Sequence, residues 1–261
     1  MGVSRQELSN LLATKFVNLD QQIKITSEKR TQESLQPDIE RVKGLKLSSL
    51  DRLHRFTRLW KKTSWSIVEL DEIVGKFSNE NGDSLNNALK KLPDFERLQK
   101  YLRLSVEELC SLWGDILIGE RFLRKYLFSL TNLFLDLTFS NSPIQFVYPK
   151  PTSDQDKYEI DGGLYQLLAA LKLNETQFTN LIQNLEKPLG VDNNQFTLNI
   201  QAFSLLFQHS RLASSLQVSI SELFQLIQIC WSSEVSYIST FEQLVELIEF
   251  YDWLKSSDYS L

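Results

Sequence analysis

FSLLFQHSRLASSLQVSISEL (203–223) holds one complete joint of this protein. Phe203, Phe207, Leu212 and Leu216 recur at helical spacing, so the first half predicts an amphipathic helix with one buried face. Val218-Ser219 and Glu222-Leu223 then predict a second helix start. The Ser219 side chain is placed to accept from the backbone N–H three residues on, and Glu222 reaches back to the cap N–H. Val218 and Leu223 pack across this capping box as a hydrophobic staple that fixes the angle of entry. Helix, tight elbow, capped helix is therefore the structural unit.

The same pattern recurs along the chain: a large apolar residue, Ser or Asn, two residues, Glu or Gln, then a large apolar residue. The other copies are Val3-Ser4…Glu7-Leu8, Trp65-Ser66…Glu69-Leu70, Leu104-Ser105…Glu108-Leu109 and Leu173-Asn174…Gln177-Phe178. Chance supplies about one or two such windows in a chain of this composition. A sixth, Val191-Asp192…Gln195-Phe196, follows Lys187-Pro188-Leu189-Gly190 and is read as the chance case. Four of the five follow an apolar-periodic stretch: Leu53/Phe56/Trp60, Phe95/Leu98/Leu102, Leu164/Leu167/Leu171 and Phe203/Phe207/Leu212/Leu216. From Ser4 through Ser66, Ser105 and Asn174 to Ser219 the caps are 62, 39, 69 and 45 residues apart. Such unequal intervals predict an all-α protein, an irregular, solenoid-like or shell-like stack of helix–elbow–helix units rather than a strict repeat.

Bulk properties agree. The chain has 261 residues, 42% hydrophobic content, 16 Phe and 5 Trp, enough for a sizeable packed core. Nine Gly and six Pro suit a helix-dominated chain. A net charge of −5 excludes a strongly basic nucleic-acid binder. Cys110 and Cys230 have no CxxC spacing and read as two buried thiols, not a disulfide framework. The N-terminus MGVSRQELSNLL lacks the charged and apolar regions of a signal peptide. The most apolar stretch, Leu112 to Phe139, is broken by Asp115, Glu120, Arg121, Arg124, Lys125 and Asp136, so no direct membrane span is expected.

The organisation read along the chain is a helical part at 1–139, an extended Pro-containing loop at 140–163, and a second helical part at 164–261. Gln21 to Pro37 is predicted as a solvated helix and then a loop, Asn79 to Asp83 as a turn, and 84–139 as helical throughout. Tyr259-Ser260 falls where another staple and cap would begin, so the chain is expected to be one continuous fragment truncated at its C-terminus.

The chemistry is sparse. His54 and His209 stand alone, with no second His, Cys or paired carboxylate at ligand spacing, so neither a metal site nor a general base is predicted. HExxH, GxSxG, GxGxxG and GxxxxGK[ST] are all missing from the sequence. No catalytic residue, cofactor or metal is expected, and the chain is not read as an enzyme. Asp71 and Glu72 are read as charges favoured by a helix N-terminus. One charge anomaly stands out: Arg41, Lys43, Lys46, Arg52, Arg55, Arg58, Lys61 and Lys62 surround the single acid Asp51. Nucleic-acid or anionic-lipid binding is set against a solvated face, or pairing with Glu242, Glu246 and Glu249; the second reading is preferred.

One stretch carries a resemblance. LSSLDRLHRFTRLWKKTSWSIVELDEIV (47–74) resembles a signature of the large A subunits of the insecticidal toxin complexes, the Tc toxins. Leu53, Arg55, Phe56, Arg58, Leu59, Trp60, Lys61 and Lys62 fit its first half; Trp65, Ser66, Glu69, Leu70 and Asp71 fit its second. Residues 133–178 are similar to the family's following stretch, and 196–227 resemble its LTLxNLSxLYRxxxLAxALxLSxxELLxLI unit. The resemblance runs in family order over most of 45–261. Thr63-Ser64 replaces the usual Leu-Gly, and Phe207-Gln208 replaces Tyr-Arg.

The resemblance implies a non-catalytic segment of the α-helical shell that encloses the translocation channel of a pore-forming toxin. It implies as partners the other domains of the same subunit, a homopentamer in the full-length context, and, indirectly, the B and C subunits and the host-cell surface. It implies a virulence protein that is secreted or associated with the cell surface. The alternative is a stand-alone helical protein–protein interaction or assembly module.

Overall fold

Every predicted cap forms. In this computed structural model the side chains of Ser4, Ser66, Ser105, Asn174 and Ser219 each accept from the backbone N–H three residues on. In each, the Glu or Gln at that position closes back on the cap N–H. The structure describes residues 2–31, 39–77, 84–116, 144–147, 162–192, 195–232 and 235–257. These are mostly helical, as the all-α reading requires, with two antiparallel strand pairs added. The chain divides into two compact units, Met1–Glu96 and Arg97–Leu261.

In the first unit, α1 (Arg5–Ala13) packs on α2 (Leu47–Trp60) and α3 (Ile67–Lys76), and α4 begins at Ser84 and runs to Leu102. Leu11, Phe16, Leu53, Phe56, Leu70, Ile73 and Phe95 are buried here. Phe16 stacks on Phe56 at 5.8 Å, and Trp65 and Phe77 meet Phe95 edge-on at 5.7 and 6.2 Å. Each fully buried ring contributes roughly 1.5–3 kcal/mol by leaving water.

One expectation fails in this unit. The stretch read as a solvated helix forms a hairpin instead: β1 (Lys24–Glu28) pairs antiparallel with β2 (Ile39–Lys43), with Thr26 opposite Arg41. Ile25, Thr26, Ile39 and Val42 are β-branched and favour the pleat. Glu28 bridges Arg41 and Lys43 across the strands at 2.9 and 2.8 Å. Gly44 closes the base at φ +79°, where an added Cβ would lie 2.1 Å from the Gln22 carbonyl oxygen. Only glycine fits that approach.

The second unit holds the end of α4, α5 (Val106–Cys110), α6 (Gly162–Leu171), α7 (Glu175–Asn184), α8 (Glu186–Leu189), α9 (Ile200–Leu216), α10 (Ile220–Trp231) and α11 (Phe241–Ser256). β3 (Ile144–Val147) pairs antiparallel with β4 (Gln195–Leu198), Phe146 opposite Phe196. The sixth sequence window thus ends in a strand. α9 packs against α6, α7, α8, α10 and β4, and α10 against α7 and α11.

The division at 139/140 lies outside the described residues, and residues 97–116 belong to the C-terminal unit. The helical stretch from 84 turns at the predicted elbow, Arg103–Ser105. Residues 117–139, the turn at 79–83, most of the loop 140–163 and Tyr259-Ser260 also lie outside the described residues. At the loop's end α6 already begins at Gly162.

Two caps were missed. Thr240 forms a full capping box with Gln243, but Ser239 precedes it where the pattern demands a large apolar residue. Asn199 accepts from the Ala202 N–H, with Leu198 and Phe203 as staple and no acid to close the box.

Candidate functional site

The signature residues of 47–74 go into packing and joint-building. Phe56 and Leu70 are completely buried and Trp65 is nearly so. Leu59 and Trp60 are half-buried. Between α2 and α3 the chain turns over five residues, Lys61–Trp65. Lys62 N–H donates to Leu59 O at 2.9 Å and Thr63 N–H to Trp60 O at 3.2 Å. Ser66 and Glu69 then cap α3.

Asp71 has a role that helix-dipole reasoning misses. Its carboxylate accepts from the N–H groups of Lys15 at 2.8 Å and Phe16 at 3.0 Å, tying the chain after α1 to α3. Those donors follow the end of α1, so one side chain satisfies two backbone N–H groups that lie beyond the helix. Burial raises the Asp71 pKa above the ordinary carboxylate value, against the pull of the two amides.

The basic stripe finds local partners. Arg52 donates to the Val17 carbonyl at 3.1 and 3.3 Å, and Arg55 to Asn86 Oδ1 at 3.1 Å, with Asp51 4.0 Å away. Arg58 is exposed without an ionic or hydrogen-bonded partner among the described residues. The proposed acidic partners are engaged otherwise: Glu249 pairs with Arg97 at 2.6 Å, and Glu246 accepts from the Trp231 indole N–H at 3.1 Å.

In the second unit three elbows share one geometry. Arg103, Lys172 and Gln217 each sit in the left-handed region, at φ 55°, 56° and 59°. The next residue's N–H then reaches back five residues: Leu104 to Gln99 O at 3.3 Å, Leu173 to Leu168 O at 3.0 Å, Val218 to Ala213 O at 3.0 Å. This is a Schellman ending with a non-glycine residue at the left-handed position, followed at once by a staple residue and a cap. The sequence signal was available: a long polar residue directly before the staple at all three joints.

Glu108 does double work. One carboxylate oxygen closes the Ser105 box at 2.9 Å and the other accepts from Arg211 of α9 at 2.6 Å. Its side chain is 8% exposed and that of Arg211 26%, and the Arg211 Nε has no partner. Two positions back along α9, His209 is fully buried against Phe224, with ring centroids 5.4 Å apart. Its Nε2 accepts from the Ile238 N–H at 3.1 Å, so the ring proton must sit on Nδ1, which donates to Leu205 O at 2.8 Å. Gln208 donates to the Ile238 carbonyl. Adjacent side chains of α9 thus hold both polar groups of one residue in the α10–α11 connection. Burial pushes the His209 pKa down to about 4. His54 is exposed on α2.

Cys110 is buried and Cys230 half-buried, and burial raises the pKa of the Cys230 thiol. Among the described residues no group of three or more His, Cys, Asp or Glu could hold a metal ion. None of their helices is long and apolar enough to cross a membrane. A cavity of about 490 Å³ lies between the first and third elbows of this unit, lined by Tyr101, Arg103, Arg211, Ser214, Tyr251 and Lys255 among others. No family model matches the chain, and no curated protein matches it.

Proposed function

We infer that this chain is a structural, non-catalytic segment of a Tc toxin A subunit, part of the helical shell around the translocation channel. The observation that carries this reading is the use made of the segment that bears the resemblance. Phe56, Trp65, Ser66, Glu69, Leu70 and Asp71 are spent on core, cap and inter-helix tie, which is what a load-carrying shell demands and an active site does not. Arg55 holds Asn86, and Arg58 remains exposed as a candidate contact with other domains of the subunit.

The test is expression of the complete reading frame that encodes this chain, followed by negative-stain electron microscopy. Fivefold particles with a central channel are the expected result. A reading frame that ends with this chain, with a discrete small oligomer by light scattering, would overturn the shell assignment in favour of a stand-alone helical interaction module.

A further inference from the structure

The cavity between the elbows at Arg103 and Gln217 inverts the charge of the molecule. The chain carries a net −5, yet Arg103, Arg211 and Lys255 all line this space; of the carboxylates beside it, Glu108 accepts from Arg211 and Asp252 from the Tyr101 hydroxyl. Ser214 adds a hydroxyl, whereas the Tyr101 hydroxyl donates to Asp252 at 3.4 Å and that of Ser215 to the Arg211 carbonyl at 2.8 Å. Arg211 gives one amino group to Glu108, and its Nε–H is buried without a partner. Arg103 has no ionic or hydrogen-bonded partner among the described residues, although it occupies a left-handed position that glycine would fill with less strain. Lys255 lies 4.5 Å from the centre of the Tyr251 ring, and Tyr251 in turn donates to the Leu216 carbonyl at 3.0 Å, fixing that wall.

We propose that this cavity binds a small phosphate-bearing molecule, with Arg103, Arg211 and Lys255 as the cationic contacts. Guanidinium and ammonium groups match the oxygens of a phosphate dianion. A volume of about 490 Å³ is that of a small-molecule site and not of a nucleic-acid channel. The site goes beyond the shell reading and does not depend on it.

The experiment is calorimetric titration of the full chain with inorganic phosphate and with phenyl phosphate, at fixed ionic strength against a chloride control. Saturable binding is expected. Tighter binding of phenyl phosphate identifies an esterified ligand, and equal binding a free anion; either supports the site. The double variant R103Q/K255Q should weaken binding at least tenfold, while R58Q/K62Q in the other unit leaves it unchanged. Arg103→Gly separates ligand binding from backbone strain: it should melt higher than the parent and still lose affinity. Heat no different from the chloride control, or unchanged affinity in R103Q/K255Q and Arg103→Gly, would overturn the proposal.

Discussion

The elbow at Lys61–Trp65 and the three elbows of the C-terminal unit begin their second helices identically and leave their first helices by different routes. All four present a capping box behind a buried or half-buried staple residue. At 61–65 the chain spends five residues and two i→i+3 bonds on the turn, and none of them has a positive φ. At Arg103, Lys172 and Gln217 a single residue in the left-handed region makes the turn. The tight form thus trades backbone strain, about 1–2 kcal/mol for a non-glycine residue, against loop length. It also sets the cap of the second helix two residues after the left-handed one. In the C-terminal unit those starts then acquire tertiary partners such as Arg211.

The largest expected contrast comes from the same box position in the two kinds of joint. Glu69→Ala removes a capping partner only and should cost about 0.5–2 kcal/mol. Glu108→Ala also strands Arg211, and breaking a buried pair costs about 3–5 kcal/mol. The lower end is expected because Arg211 keeps a quarter of its side chain in water. Urea denaturation of the two variants reads the difference directly. Equal losses would mean that the Arg211 contact contributes nothing beyond the cap.

The second contrast is pH. The buried neutral His209 has a folded pKa near 4 against an ordinary 6.5, so the unfolded chain holds more protons in that window. Stability is therefore fully present above about pH 6.5 and is lost as pH falls toward 4, by roughly 3 kcal/mol at most. His209→Gln should flatten that slope in thermal melts between pH 7 and 4. Asp71 acts with the opposite sign. Its folded pKa is raised, so its contribution is largest at low pH and falls as pH rises from the ordinary value of 3.8 through the raised one.

Third, Asp71→Ala leaves the Lys15 and Phe16 amides without their acceptor, at a cost of about 1–3 kcal/mol. Because this tie is specific to the first unit, the loss should appear in the hydrogen-exchange protection of residues 5–17 and leave the elbow at Gln217 unaffected.

What could be read in advance follows from the range of each interaction. Capping boxes lie within four residues, so Ser4, Ser66, Ser105, Asn174 and Ser219 were legible without any knowledge of the fold. Thr240 was hidden because its box lacks the apolar staple, and the hairpin because Lys24–Glu28 is too short and too polar to separate period two from a solvated helix turn. The contacts that distinguish the units join residues far apart in sequence: Asp71 with Lys15, Glu108 with Arg211, His209 with Ile238. No spacing rule reaches across such intervals. The phosphate site is of that kind as well, since Arg103, Arg211 and Lys255 belong to three separate helix ends or faces.

The smallest effect tests the comparison most directly, because its sign should reverse between the two kinds of elbow. Gln217→Gly relieves the strain of φ 59° but gives the unfolded chain more freedom, about 0.4–1 kcal/mol against the gain. The net expectation is stabilisation by about 0.5 kcal/mol. Thr63→Gly in the longer elbow has no positive φ to relieve and removes the Thr63 hydroxyl that donates to the Trp60 carbonyl at 3.2 Å. It should therefore destabilise by roughly 0.5–1 kcal/mol. Paired urea curves with unchanged slopes would resolve the two signs, and a loss in both variants would show that the left-handed residue is not the strained element of the tight joint.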